Sequence, residues 1–190
     1  MVIVYPIIKR LIDILASATV LVILSPIMLL IALVIKLQDG GPAIFKQNRV
    51  GKNGEEFLFY KFRSMPTATP NVVSSDVAKI SITPFGKFIR RTNLDELPQL
   101  VNILKGDMSL IGPRPPIPSQ QNLIRLRRDN GALSLRPGLT GWAQVNSYDY
   151  MIEEEKARLD GEYARRLSLS LDVKIVIKTL AYLTKTPPTY

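Results

Sequence analysis

The chain has 190 residues, enough for one domain with an appendage, and its 25 lysines and arginines against 16 acidic residues give a net charge of +9. It contains no cysteine and no histidine, which excludes disulfides, thiol chemistry, Ser-His-Asp triads and histidine-ligated zinc. Nucleophilic chemistry must therefore use carboxylates, hydroxyls or lysine, and the basic surface favours a phosphorylated substrate, an anionic membrane or a nucleic acid.

The first predicted element is a membrane segment. The 22 residues from Ile14 to Ile35 carry no charge, and as a helix they would reach about 33 Å, the thickness of a bilayer core. No small-residue cleavage site follows this run, so a cleaved signal peptide is not expected. The sequence therefore predicts a segment that stays in the membrane.

Ser25-Pro26 interrupts this segment at its middle, and basic residues flank it, with Lys9 and Arg10 before it and Lys36 after it. Proline removes a backbone hydrogen bond within a helix, and the Ser25 hydroxyl could bond the carbonyl left over. A span needs charge asymmetry between its ends, so these equal-sign flanks fit a re-entrant helix-break-helix that enters one leaflet and returns. A kinked span is the alternative.

A β-hairpin is predicted next, because extended runs at 43–50 and 55–63 flank an Asn-Gly turn. Lys61 and Arg63 alternate along the second run and therefore share one face. They are either phosphate-contacting cations or part of a solvated face. Two less regular stretches follow, a loop rich in serine, threonine and proline and a short basic amphipathic segment, at 66–81 and 84–91.

The acidic pair Asp95-Glu96 can be interpreted in two ways. With Asn93 as a helix cap, Glu96 completes a capping box and the pair is structural. Pro98 weakens this interpretation, because it would fall where that helix already needs a backbone N–H. A helix that begins near Pro98 leaves both acids on its approach, next to two arginines. In either case the helix should end at a glycine, Gly106.

Prolines surround Arg114 and present it rigidly, either as an anion clamp or as an exposed residue of a linker. Further along, Gly138 and Gly141 lie close in the sequence to the single tryptophan, Trp142. The simplest interpretation of this segment is a turn with a tryptophan side chain in the core. Three more helices are predicted, at 119–128, 153–166 and 170–185. The last places lysines on one face and apolar residues on the other, so it packs on a core or lies flat on a lipid surface.

Six motifs in this order resemble the bacterial monotopic phosphoglycosyl transferases, in their minimal catalytic form. The resemblance covers nearly the whole chain, and six motifs behind a Ser-Pro-broken apolar run are far more specific than any one alone. The motifs are FKQNRVG at 45–51, YKFRSM at 60–65, LDELPQ at 94–99, KGDMS at 105–109, GPRP at 112–115 and RPGLTGWAQVN at 136–146.

The resemblance implies transfer of a sugar-1-phosphate from a UDP-sugar to polyprenyl (undecaprenyl) phosphate, with release of UMP. It implies that Asp95 is the nucleophile of a two-step route through a covalent phospho-sugar, with Glu96 as its partner and Mg²⁺ as cofactor held by both. It also implies an α/β fold, mostly helical with a small hairpin, in a monotopic membrane protein with interfacial amphipathic helices. Residues 1–38 would be the re-entrant helix, and 39–190 a catalytic domain on the cytoplasmic face of the bacterial inner membrane.

A carboxylate that attacks a diphosphate is repelled by its negative charge, and cations must offset this repulsion. The site prediction therefore extends to basic residues. The candidates for phosphate and substrate binding, with Arg136, Gly141 and Gln144 assigned to the nucleotide, are Lys61, Arg63, Arg90, Arg91, Arg114, Arg136, Gly141 and Gln144. Asp172 is a further carboxylate. After Asn146 the chain departs from the Gly-Arg-Asn that often follows in the family and continues with Ser147-Tyr148-Asp149.

Two alternatives come from other classes. A membrane-anchored basic protein that binds nucleic acid or acts as a scaffold predicts salt-sensitive nucleic-acid binding but leaves Asp95-Glu96 unexplained. A different lipid enzyme is disfavoured, because the chain has neither histidine nor an Asp-x-x-Asp-Gly run. The expected partners are therefore a UDP-sugar, polyprenyl phosphate and inner-membrane lipids, and nucleic acid is not among them.

Overall fold

The computed structural model describes residues 4–67, 82–146 and 151–183. Within them the protein is mostly helical, with two small sheets and one long apolar N-terminal helix. The helices are α1 (Val4–Asp39), α2 (Pro84–Arg91), α3 (Gln99–Lys105), α4 (Gln121–Asp129), α5 (Trp142–Asn146), α6 (Glu153–Arg165) and α7 (Leu169–Leu183). The strands are β1 (Ile44–Val50), β2 (Glu56–Phe62), β3 (Ser109–Ile111) and β4 (Gly138–Thr140). The loop predicted at 66–81 falls outside the described residues from 68 onward.

The predicted hairpin is confirmed. Strands β1 and β2 pair antiparallel, with Ile44 opposite Phe62 and Val50 opposite Glu56. The chain reverses through left-handed backbone conformations, at φ 58° for Asn53 and φ 89° for Gly54. Asparagine and glycine tolerate positive φ better than other residues, so the Asn-Gly signal in the sequence corresponds to a real steric requirement.

A second sheet was not predicted. Strands β3 and β4 pair in parallel, with Ser109 opposite Gly138 and Ile111 opposite Thr140. The two backbones approach so closely that a Cβ on Gly138 would lie 2.0 Å from the backbone nitrogen of Gly112. Strands of three residues are too short to display the alternation on which strand prediction depends, so this pairing leaves little trace in the sequence.

Helix α1 runs without interruption from Val4 to Asp39 with Pro26 inside it, so the break predicted at Ser25-Pro26 is not seen. The Ser25 hydroxyl donates a 2.8 Å hydrogen bond to the carbonyl of Val22, the one that Pro26 cannot bond, so the role predicted for Ser25 is confirmed. By length and composition this helix could cross a membrane, and most of its apolar stretch is exposed.

One stripe of α1 lies on the rest of the protein over almost the whole length of the helix. Near its start, the Lys9 ammonium bonds the carboxylate of Asp172 at 2.6 Å, and the Arg10 guanidinium donates to two carbonyls at the C-terminal end of α3. Near its end, Ile31 and Ile35 are buried in a cluster with side chains of β2 and α2. Both ends of the helix therefore contact the same body.

Helix α3 settles the ambiguity at the acidic pair. It begins at Gln99, directly after Pro98, and ends at Gly106 with φ 97°. Asn93 adopts a left-handed conformation, φ 54°, and its side chain makes no capping hydrogen bond. The capping-box interpretation is therefore wrong, and Glu96 is left for other contacts.

Helix α7 packs on the core through a stripe that includes Leu171, Asp172 and Ile175, all of them buried. Its lysines bend over the single tryptophan, because the ammonium groups of Lys174 and Lys178 lie 5.4 and 4.8 Å from the centre of the Trp142 ring. The apolar side chains predicted to form its other face stay exposed, among them Val173, Val176, Ile177 and Leu180. An apolar helix face without a partner in the described chain is typical of a lipid surface.

Candidate active site

Asp95 and Glu96 lie in a single 3₁₀ turn, Leu94–Glu96, between α2 and α3. The left-handed backbone of Asn93 turns the chain immediately before them. Asp95 is buried, with 6% of its surface exposed. The two acidic residues are therefore consecutive in one short turn.

Lys61 and Arg114 reach this turn from two other elements. The Lys61 ammonium lies 2.6 Å from Oε1 of Glu96 and 3.6 Å from Oδ2 of Asp95. A guanidinium nitrogen of Arg114 lies 3.3 Å from the same Glu96 oxygen. The structure thus brings together four of the residues predicted for the site from distant parts of the chain.

The two neighbouring carboxyl groups differ in acidity. Burial raises the pKa of Asp95, and the charge of Glu96 adds to that effect against the opposing charges of Lys61 and Arg90. Burial also acts to raise the pKa of Glu96, but the charges of Lys61 and Arg114 outweigh it and bring that pKa down to about 2. Glu96 is therefore the firmly ionised member of the pair, and Asp95 is the more basic one.

The other predicted cations divide into two groups. Arg90 belongs near the site, since its charge acts on Asp95 and its Nε donates 2.7 Å to the hydroxyl of Ser64. Arg63 lies in an ion pair with Asp39 at the end of α1 and also bonds Thr67, so its described partners are not the acidic pair. Arg91 is exposed on α2.

In the described part of the chain, the three residues assigned to the nucleotide are not among the ion-pair partners of the acidic pair. The Arg136 Nε donates 2.9 Å to the carbonyl of Gly106, at the opposite end of α3 from the acids. Gly141 packs against Gly112, and a Cβ there would come within 2.1 Å of its carbonyl oxygen. The side-chain amide of Gln144 is buried without a hydrogen-bond partner, which is the feature expected of a group that meets a ligand.

The loop that carries Arg114 is held by donors from outside it. Prolines at 113, 115 and 116 have no N–H, so this segment cannot bond itself in the usual ways. Its carbonyls accept instead from four other residues: Pro113 O from the Gly138 nitrogen at 2.9 Å, Arg114 O from Arg127 Nη1 at 2.8 Å, Pro115 O from Arg49 Nη1 at 3.1 Å, and Pro116 O from the Val50 nitrogen at 2.9 Å.

Sequence reasoning missed both of these arginines as parts of the site. Arg127 is buried in an ion pair with Asp160, 2.6 Å from Nη2 to Oδ2. Arg49 lies 5.3 Å over the ring of Phe59, and burial together with the charge of Arg114 lowers its pKa to about 10. Arg49 lies within the FKQNRVG motif. The residues around it in the sequence do not indicate that it bonds a carbonyl 66 residues away along the chain.

A divalent cation would find two carboxylates here. No cluster of three or more potential metal-ligating side chains occurs within the described ranges. Mg²⁺ is commonly held by one or two carboxylates together with substrate phosphates and water, so the donor set of Asp95 and Glu96 fits this ion when a phosphorylated substrate supplies the remaining oxygens.

Known proteins identify the family. The family model described as bacterial sugar transferase matches residues 4–186. The chain belongs to the bacterial sugar transferase family. An Aeromonas hydrophila relative, UDP-N-acetylgalactosamine-undecaprenyl-phosphate N-acetylgalactosaminephosphotransferase, is 42% identical over 188 residues, which cover 93% of this chain and 44% of that protein.

Other bacterial sugar transferases give the same picture. The UDP-glucose:undecaprenyl-phosphate glucose-1-phosphate transferase of Escherichia coli K12 is 38% identical over 90% of this chain and 39% of its own length. The uncharacterized sugar transferase EpsL of Bacillus subtilis is 38% identical over 92% of this chain and 86% of its own length. The chain thus spans less than half of the first two relatives, and the family resemblance drawn from the motifs is confirmed.

Proposed function

We propose that this protein transfers a sugar-1-phosphate from a UDP-sugar to membrane polyprenyl phosphate and releases UMP. The observation that carries the proposal is the buried Asp95 beside Glu96, with the charges of Lys61 and Arg114 directed at the pair. The names of two relatives describe UDP-sugars and undecaprenyl phosphate as their substrates. Those names differ in the sugar, so the proposal does not extend to it.

The reaction proceeds in two displacements at one phosphorus atom. A carboxylate oxygen of Asp95 bonds the phosphorus that bears the sugar while the P–O bond to UMP breaks, and UMP leaves with the electron pair. An oxygen of the lipid phosphate then bonds the same phosphorus, and the aspartyl P–O bond breaks to restore the carboxylate. The product is a polyprenyl-diphospho-sugar.

Asp95 suits the role of nucleophile and Glu96 that of its partner. The raised pKa of Asp95 makes it the more basic carboxylate, and no histidine base is needed to activate a carboxylate. Lys61, Arg90 and Arg114 offset the repulsion between the carboxylate and the diphosphate. Mg²⁺, held by Asp95 and Glu96, would further neutralise phosphate charge.

The second substrate resides in a bilayer, which agrees with a monotopic arrangement. Helix α1 contacts the body through Lys9, Arg10 and Asp13 as well as through Ile31 and Ile35. A helix that crossed the bilayer would carry these polar contacts into hydrocarbon, at high cost. We infer a re-entrant helix over residues 1–38, with Ser25-Pro26 near its middle, and the catalytic body on the cytoplasmic face of the bacterial inner membrane.

Lys61→Ala is expected to reduce kcat/KM for the UDP-sugar by about 10- to 100-fold, because it removes a charge-assisted contact near the diphosphate. Steady-state UMP release at varied donor concentration measures this effect. Lys46→Ala, on the neighbouring strand with an exposed side chain, is the matched control and should retain full activity. Equal kinetics for both variants would contradict a role for Lys61 in binding the diphosphate.

The exposed face of α7 offers a test of the interfacial placement. Ile177 is 62% exposed, and Ile177→Gln should weaken binding to phospholipid vesicles by about tenfold, since it replaces an apolar side chain in the lipid contact. Sedimentation with vesicles measures the change. Leu58→Gln is the control, because Leu58 is also exposed but lies among the polar residues Asn48 and Glu56 of the hairpin. Equal loss in both variants contradicts the placement.

The decisive assay for the function is UMP release from a panel of UDP-sugars, with polyprenyl phosphate and Mg²⁺ supplied. One or more sugars should support turnover that depends on the lipid phosphate. Absence of UMP release across the panel, accompanied by salt-sensitive binding of DNA or RNA, would favour the nucleic-acid-binding alternative instead.

A further inference from the structure

A cationic cavity lies at the other end of α3 from the acidic pair. Its volume is about 210 Å³, and the start of α1, the tip of the hairpin, β3 and the segment before β4 enclose it. Arg10 and Arg136 mark its position, because both donate to carbonyls at the C-terminal end of α3. Helix α3 is about 10 Å long at 1.5 Å per residue, and the acids precede its first residue, so the cavity is separate from the candidate active site.

The charges around this cavity are not balanced by the protein. Four cations line it, namely Lys9, Arg10, Lys52 and Arg136, and Asp13 is the one carboxylate among the lining residues. Lys9 is neutralised by Asp172, which does not line the cavity. Within the described ranges, Arg10, Lys52 and Arg136 have no carboxylate at ion-pair distance.

These cations also keep hydrogen-bonding capacity. In the hydrogen bonds of the described residues Arg136 uses only Nε, and the Lys52 ammonium has no partner. Both groups can therefore add charge-assisted bonds to an anion, and a phosphate oxygen is a favoured acceptor for each. Asp13 already accepts from the backbone nitrogen of Leu110, so its charge is partly satisfied.

Apolar side chains also belong to the wall of the cavity, beside the charged α1 residues Lys9, Arg10 and Asp13. Pro6 is part of the lining, and the neighbouring Ile7 and Leu11 are exposed by 60% and 56%. Leu135 and Leu167 complete an apolar part of the wall. A group that fits here has an anionic head among the cations and a hydrocarbon part along exposed α1.

We propose that this cavity binds the phosphate of an anionic glycerophospholipid, with the acyl chains along the exposed face of α1. Basic pockets beside membrane-embedded helices are suited to phospholipid headgroups. The cavity is about seven times the roughly 30 Å³ that one water molecule occupies in the liquid, so a phosphate with its glycerol fits. This proposal uses the interfacial position of α1 but not the sugar-transfer chemistry.

Lipid retention by the full chain in detergent tests the proposal. Native mass spectrometry after addition of phosphatidylglycerol should detect one retained lipid, and phosphatidylcholine should not replace it. Lys52→Gln, an exposed position, should weaken retention about fivefold. Lys52→Gln with Arg136→Gln should weaken it by more than about tenfold, because two charge-assisted contacts are lost. Lys46→Gln with Arg166→Gln removes the same charge from exposed positions elsewhere and should retain the lipid.

Competition arms separate the sources of phosphate. If inorganic phosphate at equal concentration displaces the lipid, the cavity is a site for soluble phosphate. If polyprenyl phosphate displaces it, the cavity binds the acceptor substrate. Either result overturns the proposal of a glycerophospholipid site. Equal retention by the wild type and the double variant also overturns it. UMP release is measured on the same wild-type sample, and its absence counts against the proposed function while the lipid result stands.

Discussion

Asp95→Asn is expected to lower UMP release by at least about 10⁴-fold, because an amide oxygen cannot form the covalent phospho-sugar bond. The substitution is nearly isosteric, and Asp95 is buried in a short turn, so the shape of the site should be kept. Exchange of labelled UMP into the UDP-sugar, which needs only the first displacement, should disappear as well. Both measurements report on the nucleophile rather than on lipid binding.

Glu96→Gln separates the two acids. Glu96 holds Lys61 and Arg114, and it bonds no reacting atom in the proposed route. This variant should therefore be slow but still form the aspartyl adduct, which intact-protein mass spectrometry detects as added mass when the lipid acceptor is withheld. An adduct on Asp95→Asn, or none on the active wild type, would contradict the assignment. Asp129→Asn, at an exposed ion pair on α4, serves as the control with normal turnover.

Local signals in the sequence predict a large part of this fold. The Asn-Gly turn predicts the hairpin because the left-handed backbone at Asn53 needs a residue that tolerates it. The ends of α3 are predicted in the same way. Pro98 precedes its first residue because proline lacks an N–H, and Gly106 follows its last residue because glycine accepts positive φ. Ser25 next to Pro26 predicts its own hydrogen bond. Each of these depends on residues a few positions apart.

In the candidate site, too, the residues in local motifs were predicted and the contacts between distant segments were not. Asp95, Glu96, Lys61 and Arg114 were predicted from motifs, and the structure places them in contact. The supports of the site were not predicted, because they depend on which chain segments meet in space. A basic residue in a polar helix, such as Arg127, reads as a surface charge until its neighbours are known. Arg63 shows the converse. Its alternation with Lys61 predicts a place at the site, but its guanidinium pairs with Asp39 at the end of α1.

Asp160→Asn is expected to destabilise the protein by about 3–5 kcal/mol, because it leaves the buried charge of Arg127 without its carboxylate partner. Both residues are buried, Arg127 with 4% and Asp160 with 1% of the surface exposed. Arg127 connects α4 and α6 and also holds the carbonyl of Arg114. Urea unfolding measures the loss. Asp129→Asn removes the exposed pair with Arg125 on the same helix and should cost at most about 1 kcal/mol.

Arg127→Lys tests the same residue without removing its charge. A lysine can pair with Asp160, but one ammonium cannot reproduce the bonds that the guanidinium makes to Asp160 and to the Arg114 carbonyl. The loop would then hold Arg114 less firmly, and kcat should fall by about tenfold, the equivalent of one hydrogen bond to a charged group. Arg125→Lys, two residues earlier on α4 and exposed, should leave kcat unchanged.

A positioning role differs from a general loss of stability in how it combines with Arg114. If Arg127 acts through Arg114, its substitution has little further effect once Arg114→Gln has removed the guanidinium from the site, because coupled residues give non-additive effects. The double variant should therefore turn over within about twofold of Arg114→Gln alone. Two independent losses that multiply in kcat would assign Arg127 to folding only. The Pro-Arg-Pro loop would then be held by Arg49 and by the backbone nitrogens of Val50 and Gly138.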